Sequence, residues 1–193
     1  MKPEPDGEER LAAGERRSEF APRCLCIDIE VGVEDSRIRS VAAIRADTRE
    51  LFTSRGGDLS AALRELDRLA KGAAFVLGHN IVEFDLPHLS AANPNLKLLA
   101  LPTVDTLRLN PLAFPRNRYH HRVKHYQDGQ LRRVQVNDPL LDAQLTLELF
   151  KDQNEALLET QRSLPDLMCA WHWLTTVEPG ASGMNSLFTT LRQ

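Results

Sequence analysis

Cys24-Leu25-Cys26-Ile27-Asp28-Ile29-Glu30-Val31 is a short apolar run that carries two carboxylates where a buried strand should carry none. Side chains alternate faces along a strand, so Asp28 and Glu30 point one way and Leu25, Ile27, Ile29 and Val31 the other. The run therefore predicts a paired-acid site on the first strand of a sheet. Two carboxylates in a dry crevice repel, which is resolved by raising a pKa or by placing a divalent cation between the oxygens. A solvated strand end would account for the pair with no site at all, and the rest of the chain has to decide between these readings.

Arg37 to Arg45 and Arg49 to Ser54 read as two further strands of an antiparallel meander, joined by the polar Ala46-Asp47-Thr48. Asp58 caps a helix whose Leu59, Ala62, Leu63, Leu66, Leu69 and Ala70 keep helical spacing. Ala74 to Leu77 is a short buried strand, and Gly78-His79-Asn80 is the turn at its carboxyl end. A helix through Glu83 to Ala92 follows, stopped by Asn93-Pro94, and Thr103-Val104-Asp105 reads as one more strand end. Strands first, then strands alternating with helices, predict an α/β fold with a mixed central sheet, in which ligands sit at the carboxyl ends of strands.

The length of 193 residues suits one domain with a sizeable core, and 42% hydrophobic with 26% charged residues is the composition of a globular protein. Three cysteines, Cys24, Cys26 and Cys169, lack disulfide-framework spacing, which predicts reduced thiols in a cytoplasmic protein, and no second pair turns Cys24-x-Cys26 into a zinc site, so those two read as small buried hydrophobes. No apolar run approaches a membrane span, which predicts no membrane partner. Residues 1–20 are rich in Glu, Arg, Pro and Gly and are expected to be disordered. Residues 21–152 form the expected main domain, with 153–193 a helical extension or the start of a linker. In that extension, Glu155 to Gln161, Leu164 to Leu174 and Met184 to Gln193 read as helical, and Pro179 to Gly183 as a linker.

The net charge of −3 neither demands nor excludes nucleic acid. Its distribution is more telling. From Arg108 to Arg133 there are seven basic residues, Arg122 and Lys124 among them, against the single acid Asp128, with Tyr119, His120, His121, His125 and Tyr126 interleaved. Cations for phosphates and rings for bases are what a single-strand groove needs, although a solvated loop has the same composition. Asn137-Asp138-Pro139 then opens a helix expected to run to about Phe150, with Asp138 at the N-cap, Pro139 at the first helical position and Asp142 one turn in.

Asp28-x-Glu30 on the first strand, Asp85 in His79-Asn80-x-x-x-Phe84-Asp85-x-Pro87, and Asp142-Ala143 on the late helix stand in the order of the DEDD exonuclease motifs. From Cys24 to Lys151 the chain resembles the proofreading-subunit-like 3'-5' exonucleases of the ribonuclease H-like fold. Gly78-His79-Asn80 followed by Phe84-Asp85 is the most specific part, and Val104-Asp105-Thr106 is a further landmark. The second half also resembles, more softly, exonuclease domains found in front of RecQ-like helicases in bacteria.

The resemblance implies hydrolysis of phosphodiester bonds at nucleic-acid 3' ends, DNA before RNA, with two Mg²⁺ or Mn²⁺ ions. In-line displacement builds charge on the attacking and leaving oxygens, and two cations about 3.5–4 Å apart stabilise both. It implies that Asp28, Glu30, Asp85 and Asp142 are the metal ligands and catalytic acids, that His79, Asn80 and Phe84 contact substrate together with Arg122 and Lys124, and that a helicase domain or subunit is a partner. One departure stands out. The family keeps a general base, His five or Tyr four residues before the last Asp, where this chain has Asn137 and Asp138. Asn takes no proton at neutral pH; Asp138 accepts one weakly, and capping explains it without catalysis. His120, His121 or His125 is the alternative source of a base. The rival expectation is therefore a weak or inactive nucleic-acid-binding module that docks on a helicase or repair assembly.

Overall fold

The computed structural model describes residues 20–116, 138–177 and 182–193. Five strands, β1 Cys24–Val31, β2 Ile38–Arg45, β3 Glu50–Arg55, β4 Phe75–Gly78 and β5 Thr103–Asp105, form one open sheet in the order β3-β2-β1-β4-β5. β1, β2 and β3 pair antiparallel, and β4 and β5 continue parallel to β1. The helices are α1 Leu59–Ala70, α2 Asp85–Ala92, α3 Thr106–Ala113, α4 Pro139–Ser163, α5 Pro165–Val177 and α6 Ser182–Leu191, with a 3₁₀ turn at Lys97–Ala100. The expected mixed α/β sheet flanked by helices is thus present.

β1 divides the core by its alternation. Leu25, Ile27 and Ile29 pack with Val41 and Ala43 of β2 under α1, α2 and the 3₁₀ turn. Cys24 and Cys26 face the other way, into a second cluster with Phe150 and Leu157 of α4, Met168 of α5 and Phe188 of α6. α1 forms where the sequence spacing requires it. Asp58 accepts a bond from Ala61 N at 3.2 Å, and Leu63, Leu66 and Leu69 are buried; each such leucine contributes roughly 1.5–3 kcal/mol of transfer free energy. The buried Arg45 donates to Leu69 O and Lys71 O, which satisfies carbonyls at the end of α1, and its charge is met by Asp47.

Three expectations change. The late helix does not stop near Phe150 but runs unbroken through Glu155 to Ser163, because the polar stretch Lys151 to Asn154 contains no helix breaker and Gln153 is buried, donating to Thr106 O and Asn110 Oδ1. The boundary expected at 152 therefore falls inside a helix, and α5 and α6 share a core with the sheet. Helix α3 replaces the start of the basic segment: Asp105 caps it by accepting from Leu107 N, and Pro111 is accommodated within it. Ser182 and Gly183, placed in a linker by composition, belong to α6. Residues 1–19, including most of the expected disordered lead-in, lie outside the described residues, and Phe20 packs on Phe150 with ring centroids 5.7 Å apart.

Candidate metal centre

The site lies where β1 outruns its parallel neighbour. β4 ends at Gly78, one register step past the Cys26–Leu77 pair, so the last residues of β1 have β2 on one side and no strand on the other. On the α4 face of β1 the thiols of Cys24 and Cys26 give way at this point to Asp28 and Glu30, both half-buried. Small residues, Ala42 and Ser40, stand opposite them on β2. The first turn of α4 lies over this face: Cys26 Sγ donates to Ala143 O at 3.3 Å, which sets the buried Asp142 against the two strand acids.

One carboxylate oxygen from each of Asp28, Glu30 and Asp142 lies within 4.8 Å of the others. Ligands on opposite sides of a divalent cation, each about 2.1 Å away for Mg²⁺ or 2.4 Å for Ca²⁺, are about 4.2–4.8 Å apart. The three carboxylates fit a hard, oxygen-preferring cation with little side-chain movement. The triad can hold a metal ion.

Asp85 arrives from the other direction, at the first position of α2. Its Oδ1 accepts from Ile29 N at 3.1 Å, an amide on the edge of β1 that β4 is too short to pair. Asp85 is buried, and its carboxyl is pushed well above the usual range first by that burial and then by the nearby Asp28 carboxylate, against the Ile29 amide, which favours the charged form. It stands beside the triad and is tied to the strand backbone.

The turn between β4 and α2 is held by Asp105, which sequence reading treated only as a landmark. Its Oδ1 accepts from Asn80 N and Leu107 N, both at 2.9 Å, and its Oδ2 from Val82 N at 3.3 Å. An Asp followed at once by a helical segment was the available signal for this cap. A Cβ at Gly78 would lie 2.7 Å from Ile81 Cβ, so only glycine lets the turn close this tightly. Asn80 takes φ +63°, a left-handed conformation that Asn tolerates better than most residues. His79 Nδ1 is 2.9 Å from Thr106 Oγ1, and the ring is half-buried. Phe84 is exposed at the lip of the site, its ring 4.8 Å from that of His88.

Asp138 is engaged differently from the other acids. It caps α4 by accepting from Leu140 N at 3.2 Å, and Arg55 Nη2 of β3 donates to its Oδ1 at 3.0 Å. The structure thus brings Asp28, Glu30 and Asp142 together, places Asp85 alongside, and gives Asp138 a capping and ion-pairing role. Arg122, Lys124, Asn137 and the histidines His120, His121 and His125 lie outside the described residues.

The cysteine pair is buried beneath the site. Burial first, and the Asp47 charge second, push the Cys24 thiol up to about 12, opposed by Arg45, so it stays a protonated small hydrophobe. No helix among the described residues is long and apolar enough to cross a membrane. No protein-family model matches the sequence, and no curated protein matches it.

Proposed function

We propose that this chain is a metal-dependent 3'-5' exonuclease of the DEDD type on a ribonuclease H-like fold, hydrolysing phosphodiester bonds at DNA 3' ends with two Mg²⁺ or Mn²⁺ ions. The observation that carries the reading is the convergence of Asp28, Glu30 and Asp142 from a central strand and a distant helix, with Asp85 beside them. The strand order and the three parallel strands support the fold assignment. Divalent cations held there supply electrostatic stabilisation of the charge that builds on the attacking and leaving oxygens. Asp28, Glu30 and Asp142 would hold the first ion. Asp85 commits Oδ1 to the Ile29 amide, so Oδ2 is the atom assigned to a second. The exposed Phe84 offers a stacking face for a terminal base, a contact worth about 1–3 kcal/mol per base.

A second reading is a nucleic-acid-binding module with weak or no hydrolysis, docked on a helicase or repair assembly. The engagement of Asp138 Oδ1 by Leu140 N and Arg55 favours it, because a capping and ion-pairing role accounts for the one acid at the position expected of a general base.

The test has two parts. Mn²⁺ or Mg²⁺ titrated into the protein should raise its melting temperature, and Asp28→Ala should abolish that rise. End-labelled single- and double-stranded DNA and RNA incubated with either ion should release mononucleotides from DNA 3' ends, with none released in EDTA. Cation binding with strands shifted but intact supports the module; preferential loss of short RNA redirects the substrate; neither cation binding nor strand binding overturns both readings.

A further inference from the structure

We propose that the groove between the carboxyl end of α1 and the Lys97–Ala100 turn is a second phosphate-binding site, taking the backbone of a nucleic-acid strand at the opposite end of the sheet from the carboxylates. The placement follows from topology. Lys71 and Gly72 lead into the first residue of β4 and Leu101 leads into β5, whereas the acids stand at the carboxyl ends of β1 and β4.

The groove encloses about 490 Å³ between walls that carry Arg64, Arg68 and Lys71 on one side and Lys97 on the other. Its one acid, Asp67, has both oxygens committed, accepting from Lys97 N and Leu98 N at 3.0 Å each, which pins the turn to α1. Arg68 is held by Glu50 and Glu65 at 2.8 Å. Among the described residues Lys71 and Lys97 have no acidic partner, and Arg64 is paired loosely, with the exposed Asp58 at 3.9 Å. Arg23, donating to Gly72 O at 3.1 Å, adds a cation at the rim. Among the described residues ion pairing takes up Arg68 and, at longer range, Arg64, and leaves the two lysines that face each other across the groove without an acid.

Spacing identifies the ligand class. Arg64 and Arg68 lie on one stripe of α1 and Lys71 is its C-cap, and the seven steps from Arg64 to Lys71 span about 10 Å at 1.5 Å per residue. A duplex strand advances about 3.4 Å per phosphate, so the row faces about three successive phosphates, with Lys97 closing from the far wall. A single phosphate cannot reach cations about 10 Å apart at once, whereas a linear polyanion can follow the row. Only the choice of nucleic acid as the polyanion rests on the reading proposed above; the groove and its cations do not.

The experiment is run in EDTA, where hydrolysis cannot contribute. Binding of a fluorescent 12-nucleotide DNA to wild type and to the triple variant Arg64→Gln, Lys71→Gln, Lys97→Gln is measured against salt concentration. Three lost phosphate contacts should lower the log–log salt slope by about 2, at roughly 0.7 per contact on a single strand. Amide chemical shifts of Lys71, Gly72 and Lys97 in the wild type should move on adding the DNA. The three replaced side chains are exposed, so folding is preserved. Asp28→Ala should keep the slope in EDTA and, in a separate Mn²⁺ titration without chelator, lose cation binding, which separates failure of the groove from failure of the metal centre. An unchanged slope in the triple variant, or amide shifts produced by inorganic pyrophosphate and not by DNA, overturns the proposal.

Discussion

Ile27 and Asp28 are neighbours on one strand and face opposite sides of the sheet, and the two sides are built on opposite terms. On the Ile27 side, β1 meets an unbroken hydrocarbon layer with Leu63, Leu66 and Ile81, all buried. On the Asp28 side, the hydrocarbon layer ends at Cys26, and the same face continues as carboxylates gathered under α4. The first side lowers free energy by removing apolar area from water. The second raises it by crowding like charges in a half-buried place, a cost that a bound cation offsets. Adjacent residues can therefore carry stability and chemistry separately.

Removing the Asp28 carboxylate should cost the most activity. Asp28→Ala should reduce hydrolysis about 10³-fold or more, since the lost transition-state stabilisation is several kcal/mol and each 1.36 kcal/mol is tenfold. Its melting temperature without metal should be unchanged or raised, because a charge leaves an anionic cluster. Single-turnover assays paired with thermal melts check both halves. Ile27→Ala should do the reverse: a stability loss of about 2–5 kcal/mol by denaturant unfolding, with metal-dependent turnover retained in the folded fraction. A strongly destabilised Asp28→Ala, or a barely affected Ile27→Ala, would break the division between the faces.

Asp85 sharpens the same contrast through pH. Its carboxyl is raised above the ordinary range by burial and by Asp28, so the folded state holds the proton where the unfolded chain has released it. Stability is then fullest below the unfolded value and declines as pH rises through the folded one. Asp85→Asn keeps an oxygen for the Ile29 amide and has no charge to bury. It should flatten this decline and, without metal, gain on the order of 1 kcal/mol at neutral pH, a rise of about 2–4 °C in melting temperature. Added Mn²⁺ should narrow the gap by stabilising the wild type more than the variant, which keeps Asp28, Glu30 and Asp142 but lacks the Asp85 carboxylate. Melts from pH 4 to 8 with and without the ion decide it; a gap constant with pH would mean that Asp85 ionises without cost.

How much of this was legible depended on range. The alternation that separates Ile27 from Asp28, the spacing and Asp58 cap of α1, and the Asp138 cap of α4 are local patterns, and each appears where the sequence places it. The continuation of α4 past Phe150 was hidden because Lys151 to Asn154 look like a polar break; the burial of Gln153 against α3 is a tertiary fact. The tie between Asp85 and Ile29 depends on where β4 stops, and the pairing of Arg55 with Asp138 joins residues 83 apart in sequence. Asp105 was visible as a motif residue, but its grip on Asn80 and Val82 follows from the parallel pairing of β4 with β5.

Asp138 should respond least to substitution, and its variant decides whether it belongs with the carboxylates or with the scaffold. Asn caps a helix about as well as Asp, so Asp138→Asn keeps the bond from Leu140 N, and its side-chain oxygen still accepts from Arg55. What it loses is the charge. The Arg55–Asp138 pair is about half exposed on both sides, and such pairs contribute about 0–1 kcal/mol. The variant should melt within a few degrees of the wild type. If Asp138 is scaffold, hydrolysis should also stay within a fewfold of the wild type. A general base contributes typically about 10²–10⁴-fold, far outside that range, so the two roles separate cleanly in one rate measurement. A fall of that size, with the helix cap intact by thermal melt, would move Asp138 from the scaffold into the chemistry and would require Arg55 to release it when substrate arrives.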